Sequence, residues 1–315
     1  MRLRKLKYVP FVVRRLIFRH FPLLRKLTPS RLRTALSAQR TPQAFVFVDW
    51  NPSDRNWGDH LNRYLCEYIT GRKAVSSREV LKPRGENRYC VLGSTLGMSQ
   101  MNGAVIWGAG FICSSSVMRG MPSRICAVRG PDSAKLLPPS NRNSRMAYGD
   151  PALLMPLVYH PVPQRAYRLG VIPHYADASL CSLLQFRSMP DVLLIDVELP
   201  TERFIKELLS CEFIASSSLH GIIAADAYGL PRTWLRLSAN VTGDGFKFRD
   251  YAKGARLTDH PEKPYEGPLD VDSLIQSCHR YSVDAEVLHR LLDSCPLPAK
   301  DEAVASMRAR IPRNG

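Results

Sequence analysis

The sequence predicts an α/β protein of two doubly wound, Rossmann-like domains, and three observations carry that prediction. Short, nearly continuous apolar runs recur along the chain, as strands buried on both faces of a parallel sheet require. These runs alternate with segments of helical apolar spacing, twice over. A proline-rich stretch from Pro156 to Gln164 separates the two series. The 315 residues suit two domains of about 150 residues each. The expected organisation is a basic segment over 1–40, a first α/β domain over 41–160, a second over 165–295 and a polar, loose tail over 296–315.

In order, Ala44 to Trp50 is the first buried strand, followed by the turn-rich stretch Asn51 to His60. Leu61, Leu65, Tyr68 and Ile69 then recur at helical spacing up to Gly71, a favoured helix stop. Cys90 to Ser94 is a strand ending in Gly-Ser, and Thr95 to Met101 begins a helix. Ala104 to Gly110 is a strand running into a glycine turn, and Ile125 to Gly130 is another. Pro131 opens a helix through Leu137, proline being favoured in a first turn. The second series has strands at Leu169–Tyr175, Asp191–Val197, Glu212–Ala215 and Pro231–Leu235. Its helices are Ala178–Phe186, Thr201–Leu209 and the Ala- and Ile-rich segment after His220, with residues 271–294 helical beyond them.

Charge is concentrated at one end. Residues 1–40 hold twelve Lys or Arg and no acidic residue, leaving 32 basic against 28 acidic residues elsewhere. The cations interleave with Phe11, Phe18, Phe21 and several leucines, and the longest uncharged run is far below the roughly 20 apolar residues of a spanning helix. Such a segment suits the surface of an anionic membrane, with nucleic acid the less favoured partner and a helix packed on the body the structural alternative. The eight cysteines are scattered singly without ligand spacing, so no metal site is expected. With no export signal visible, the expected location is cytoplasmic, peripheral on the inner membrane face.

Polar residues gather at the strand ends, where open α/β sheets bind ligands. They are Asn56-Trp57-Gly58-Asp59, Gly93-Ser94, Gly108-Ala109-Gly110, Arg129, His174 and Ser216-Ser217-Ser218-Leu219-His220. The serine–histidine stretch lies where a strand hands over to a helix, and a helix N-terminus favours an anion. Singly, each has a structural explanation: Asp59 as a cap, the glycines as tight turns, His174 as a turn histidine. Neither a P-loop nor a Gly-x-Ser-x-Gly elbow is present, which removes support for nucleotide hydrolysis and α/β-hydrolase chemistry.

As an ordered set these pieces resemble the polysaccharide pyruvyl transferases. The matching stretches are Asn56 to Asn62, Ile106 to Gly110, Val128 to Ser133, Tyr148 to Ala152, Ile172 to Asp177, and Ser217 to Gly221 with Ala225 and Gly229-Leu230-Pro231. The resemblance implies a fold like the GT-B glycosyltransferases with the active site between domains. It also implies transfer of the pyruvyl group of phosphoenolpyruvate to a sugar, giving a ketal across two hydroxyls and free phosphate. Phosphoenolpyruvate is a co-substrate, and no cofactor is implied. The chemistry of that transfer assigns His220 as acid or phosphate contact, Asp59 as acceptor-side base, and His174 as a second donor-side contact. Arg129, Ser216, Ser217, Ser218 and Gly221 complete the donor side, while Asn56, Gly58, Gly108 and Gly110 form the acceptor side. Ser218 stands where many members carry arginine, and Arg129 or Arg232 is the expected replacement cation.

The chemistry asks for such residues. A phosphate and a carboxylate need cations and a helix N-terminus, and the enol carbon and the attacking hydroxyl need an acid and a base. A saccharide acceptor on a membrane lipid would explain the basic arm through effective concentration. Two alternatives remain: a GT-B glycosyltransferase using a nucleotide sugar, and a non-catalytic membrane or nucleic-acid binding protein.

Overall fold

The computed structural model describes residues 29–50, 56–80, 85–142 and 145–312. The greater part of the expected basic segment, residues 1–28, lies outside the described residues. So does the 51–55 part of the turn-rich stretch. Helix α1 (Pro29–Arg40) comes first and buries Ala38 beside Phe45 and Phe47. The first sheet then contains β1 (Phe45–Val48), β2 (Lys73–Ser76), β3 (Arg88–Cys90), β4 (Ala104–Trp107), β5 (Arg124–Val128) and β6 (Ala147–Tyr148). Their order is β2-β1-β3-β4-β5-β6, all parallel. The second sheet contains β7 (Tyr167–Ile172), β8 (Val192–Leu194), β9 (Cys211–Ser216) and β10 (Arg232–Trp234), in the parallel order β10-β9-β7-β8. The chain is therefore α/β with parallel sheets, as the apolar runs predict.

Helix α2 (Trp57–Thr70) shows why the local sequence folds as it does. Asn56 caps it by accepting the Asp59 N–H, and Gly71 ends it in the left-handed region, its N–H bonded to the Glu67 carbonyl. Trp57, Leu61, Leu65, Cys66 and Ile69 give it one buried face. That face joins the two sheets: Trp57 stacks on Phe204 of α5 (Thr201–Leu209) at 5.0 Å, and its backbone N–H donates to the Val197 carbonyl at 2.7 Å. One apolar cluster runs through both halves, from Val46 and Leu61 to Ile172, Phe204 and Ile223.

Several elements differ from expectation. Thr95 to Met101 forms turns rather than a helix, because the bonds run outward, from Leu96 N–H to the Gly110 carbonyl and from Met101 N–H to the Arg119 carbonyl. Tyr175–Asp177 and Cys181–Ser188 are 3₁₀ turns. The proline-rich stretch begins inside a short helix, α4 (Met155–Val158), which follows α3 (Pro131–Leu136). Residues 271–294 divide into α8 (Val271–Gln276) and α9 (Ala285–Asp293). The tail carries a docked helix, α10 (Asp301–Ala309), that buries Met307 and packs on α2 and α4. Arg310 donates to the Leu157 carbonyl at 2.7 Å and the Lys300 N–H to the Ile69 carbonyl at 2.8 Å, so the chain returns to the first sheet. Two further helices complete the second half: α6 (Leu219–Ala227), entered from β9, and α7 (Phe246–Gly254), which no clear apolar period announces. Among the described residues no helix is long and apolar enough to cross a membrane.

Candidate active site

The first turn of α2 meets the first turn of α6. Their closest approach is at Gly58, where a β-carbon would lie 2.2 Å from Cε1 of His220. Only glycine leaves room for the imidazole. The Trp57 indole, 6.4 Å away at 68°, flanks the same ring. Around this junction lies a cavity of about 160 Å³. Its walls come from four places: Asn56, Gly58, Asp59 and Asn62 on α2; Gly93, Ser94 and Thr95 beyond β3; His174 and Tyr175 beyond β7; and Ser218 and His220 on α6. Arg78 and Lys247 also reach it.

Each wall is held by its own bonds. Asn56 bonds Asp59 through both backbone and side chain, which fixes the Asp59 carboxylate at the mouth of α2. Asn62 donates to the Gly58 carbonyl at 3.0 Å and accepts the Leu92 N–H at 3.2 Å, tying the loop after β3 to the helix. Ser217 accepts the His174 N–H at 2.9 Å and donates to Asp177 at 2.7 Å, and Ser238 donates to the other Asp177 oxygen. His174 Nδ1 accepts the Ala176 N–H at 3.2 Å, so the neutral ring carries its proton on Nε2. Ser216 accepts the Ser218 N–H at 3.0 Å and lies 2.9 Å from the Ile172 carbonyl, a junction-closing task.

The electrostatics favour neutral histidines. Burial, then the charges of Lys247 and Arg129, pushes His220 down to about 3. Burial and Lys247 push His174 down to about 4. Nε2 of His220 is buried and has no hydrogen-bond partner among the described residues. A buried ring nitrogen in that position is costly unless something arrives to bond it. Lys247 is itself 7% exposed, and burial followed by the Arg129 charge lowers it to about 8.

The residues expected from sequence divide. Asn56, Gly58, Asp59, His174, Ser218 and His220 line the one cavity. Ser217 lines a neighbouring cavity of about 200 Å³ that also reaches Lys247. Gly221 lies behind the junction, where a β-carbon would meet Ser216 Oγ at 2.4 Å. Gly108 and Gly110 stand away from the cavity walls: a β-carbon on Gly108 would meet Pro151, and one on Gly110 would meet the Arg129 guanidinium.

Arg129 is fully buried in an ion pair with Asp250 at 3.1 Å, a residue that Ser133 also bonds through N–H and hydroxyl. It touches the cavity only through Ser94, to which it donates at 2.8 Å. Arg232 is likewise buried, doubly bonded to Asp226 at 2.9 and 2.8 Å under the Tyr281 ring, and does not line this cavity. Neither arginine presents its charge to the cavity in place of the residue at Ser218.

The cations that do line it are Lys247 and Arg78, which the sequence reading missed. Arg78 bonds Asp49 at 2.7 Å, whereas Lys247 feels the charge of Asp177 without a hydrogen bond to a carboxylate among the described residues. The available signal for Lys247 was a lysine between Phe246 and Phe248 after the glycines Gly243 and Gly245. Flanking aromatic residues bury the aliphatic stem, and the ammonium lies over the Phe248 ring at 5.5 Å from its centre.

No family model matches the chain. Protein L143 of Acanthamoeba polyphaga mimivirus, described as uncharacterized, is 31% identical over 215 residues, covering 65% of this chain and 73% of that one. The succinoglycan biosynthesis protein ExoV of Rhizobium meliloti (strain 1021) is 24% identical over 218 residues, covering 68% of this chain and 66% of that one. Among solved structures, a protein of Klebsiella pneumoniae described as functionally uncharacterized overlaps 77% of this chain and 100% of its own, with a TM-score of 0.40 and 11% identity.

Proposed function

The chain belongs to one family with mimivirus protein L143, and from that premise we propose that it transfers the pyruvyl group of phosphoenolpyruvate to a sugar, forming a ketal and releasing phosphate. The observation that carries this reading is the meeting of Asn56–Asp59 with His220 across a cavity that Lys247 also lines. The likeness to a succinoglycan biosynthesis protein supports a saccharide acceptor in exopolysaccharide or cell-surface polysaccharide synthesis. The two-domain, GT-B-like arrangement belongs to the same proposal.

In this reading the three-carbon donor lies against α6 with its anionic groups toward Lys247, and the sugar lies against the first turn of α2. An ammonium in a largely buried setting attracts a phosphate far more strongly than one in water. Asp59, fixed by Asn56, faces the sugar hydroxyls, and the imidazole of His220 stands between the two partners. Phosphoenolpyruvate, a saccharide on a membrane lipid and an anionic membrane reached through the basic segment are the proposed partners, with no cofactor needed. The corresponding place is the cytoplasmic membrane surface.

Thermal shift distinguishes this from nucleotide-sugar use. Phosphoenolpyruvate at about 100 times its dissociation constant adds about 2.7 kcal/mol of stability. UDP-sugars giving that shift while phosphoenolpyruvate gives none would replace this reading with glycosyl transfer. For the membrane, residues 1–28 are the segment to delete, since α1 packs through Ala38 on Phe45 and Phe47. The deletion should move the protein from the membrane to the soluble fraction, and an unchanged distribution would refute that role.

A further inference from the structure

The reaction proposed above needs a proton on the methylene carbon of the donor, and the cavity offers few groups that carry one. His220 and His174 are neutral at neutral pH, for the reasons given, and so enter the reaction without a proton to give as imidazolium. Lys247 is different in three respects. It sits in the first turn of α7, 93% buried by its 7% exposure, and lines both cavities of the cleft. The carboxylate nearest to it in charge, Asp177, is held by Ser217 and Ser238 rather than by Lys247. The other charged and titratable groups acting on it come from separate elements: Arg129 after β5, His174 after β7 and His220 on α6. A buried ammonium without a paired carboxylate is costly, and an arriving anion would relieve that cost.

Resting on the pyruvyl-transfer reading, we propose that Lys247 is the catalytic acid of the site, with the Asp59 carboxylate as its partner base. The Lys247 N–H bond breaks as the C=C electron pair takes the proton, turning the donor methylene into the methyl of the ketal. The first sugar hydroxyl oxygen bonds C2, and its proton passes to the Asp59 carboxylate that Asn56 holds against the sugar. The C2–O bond to phosphate then breaks with its electron pair, and the second hydroxyl oxygen bonds C2 in its place. Of the two hydroxyl protons released, one restores the lysine ammonium and one leaves on phosphate as hydrogen phosphate. A lysine held near 8 by its surroundings is suited to such work at neutral pH.

The experiment compares wild type, Lys247→Arg and Lys247→Met in two assays. The first is thermal shift with phosphoenolpyruvate; the second is phosphate release with phosphoenolpyruvate and a panel of p-nitrophenyl hexosides, from pH 6 to 10. Arginine keeps the charge but does not release a proton. Lys247→Arg should therefore keep the phosphoenolpyruvate shift and release phosphate about 100-fold more slowly or worse. Wild-type turnover should fall above about pH 8, as the lysine loses its proton. Lys247→Met should melt at or above the wild-type temperature without ligand and lose both the shift and turnover, which shows that loss of the fold is not the cause. Wild-type-like turnover in Lys247→Arg, with the alkaline fall unchanged, would overturn the acid assignment alone. A wild type with no phosphoenolpyruvate shift and no phosphate release would overturn the pyruvyl-transfer reading and the acid assignment with it.

Discussion

The strand end after β5 and the strand end after β9 both carry polar residues of the kind that bind anions, yet the fold uses them in opposite ways. After β5, Arg129 is met by Asp250, a residue 121 positions later, and by the Phe111 carbonyl and Ser94. Nε, Nη1 and Nη2 each donate to protein, and the glycines at 110 and 130 let the pair close, since a β-carbon at the first would strike the guanidinium and one at the second Asp250. After β9, the serines close their own junction and leave the His220 Nε2 unpartnered beside a cavity. A charge becomes a tool when the fold leaves it something to bind, and whether it does is decided by partners far away in sequence.

The contrast yields predictions, largest effect first. Gly58→Ala should lower transfer by about 100-fold or more, because the new methyl would occupy the His220 ring position, 2.2 Å from Cε1. Its check is turnover alongside a melting curve; an active Gly58→Ala enzyme would show that the α2–α6 contact is not the working site. Arg129→Met should cost about 3–5 kcal/mol of stability by leaving Asp250 buried without its counter-charge. Denaturant titration measures it, and a change below 1 kcal/mol on the order-of-magnitude scale of exposed pairs would mean that the pair is not structural.

The smallest effect is in pH. His220 and His174 are held at about 3 and about 4 in the fold against about 6.5 in an unfolded chain, so the unfolded chain binds more protons between those values. Stability should therefore fall as pH drops from about 6.5 toward 4. Asp150, buried and raised to about 6, works against this fall between about 6 and 3.8. His220→Gln should flatten the acid limb of stability against pH, read from melting curves, by up to about 3 kcal/mol at pH 4. An acid limb that His220→Gln leaves unchanged would place the sensitive group elsewhere.

Much of the fold was legible because strands such as Phe45–Val48 and Ala104–Trp107 are buried on both faces and carry continuous apolar sequence. Helix α2 was legible through its spacing and its Gly71 stop. The edge strands β2 and β6 were not, since Lys73–Ser76 is half polar and Ala147–Tyr148 has two residues. Within the site, Asn56, Gly58, Asp59, His174, Ser218 and His220 were found because they lie at strand ends, where parallel sheets place ligands. Lys247 escaped because it follows a loop with no strand or helix signature, on a short helix whose aromatic residues Phe246, Phe248 and Tyr251 alternate with charged ones without a clear apolar period. Arg129 was misjudged for the opposite reason: its isolated cation says nothing of Asp250 until α7 is packed against α3.

The most direct measurement is phosphate release from phosphoenolpyruvate by wild type and by His220→Gln, at equal concentrations of folded protein, with mass analysis of the saccharide product. The account predicts a product heavier than the acceptor by one pyruvate ketal, one phosphate released for each ketal, and a loss of about 100-fold or more in His220→Gln. Full activity in His220→Gln, or a wild type that modifies saccharide only with a nucleotide sugar, would contradict it.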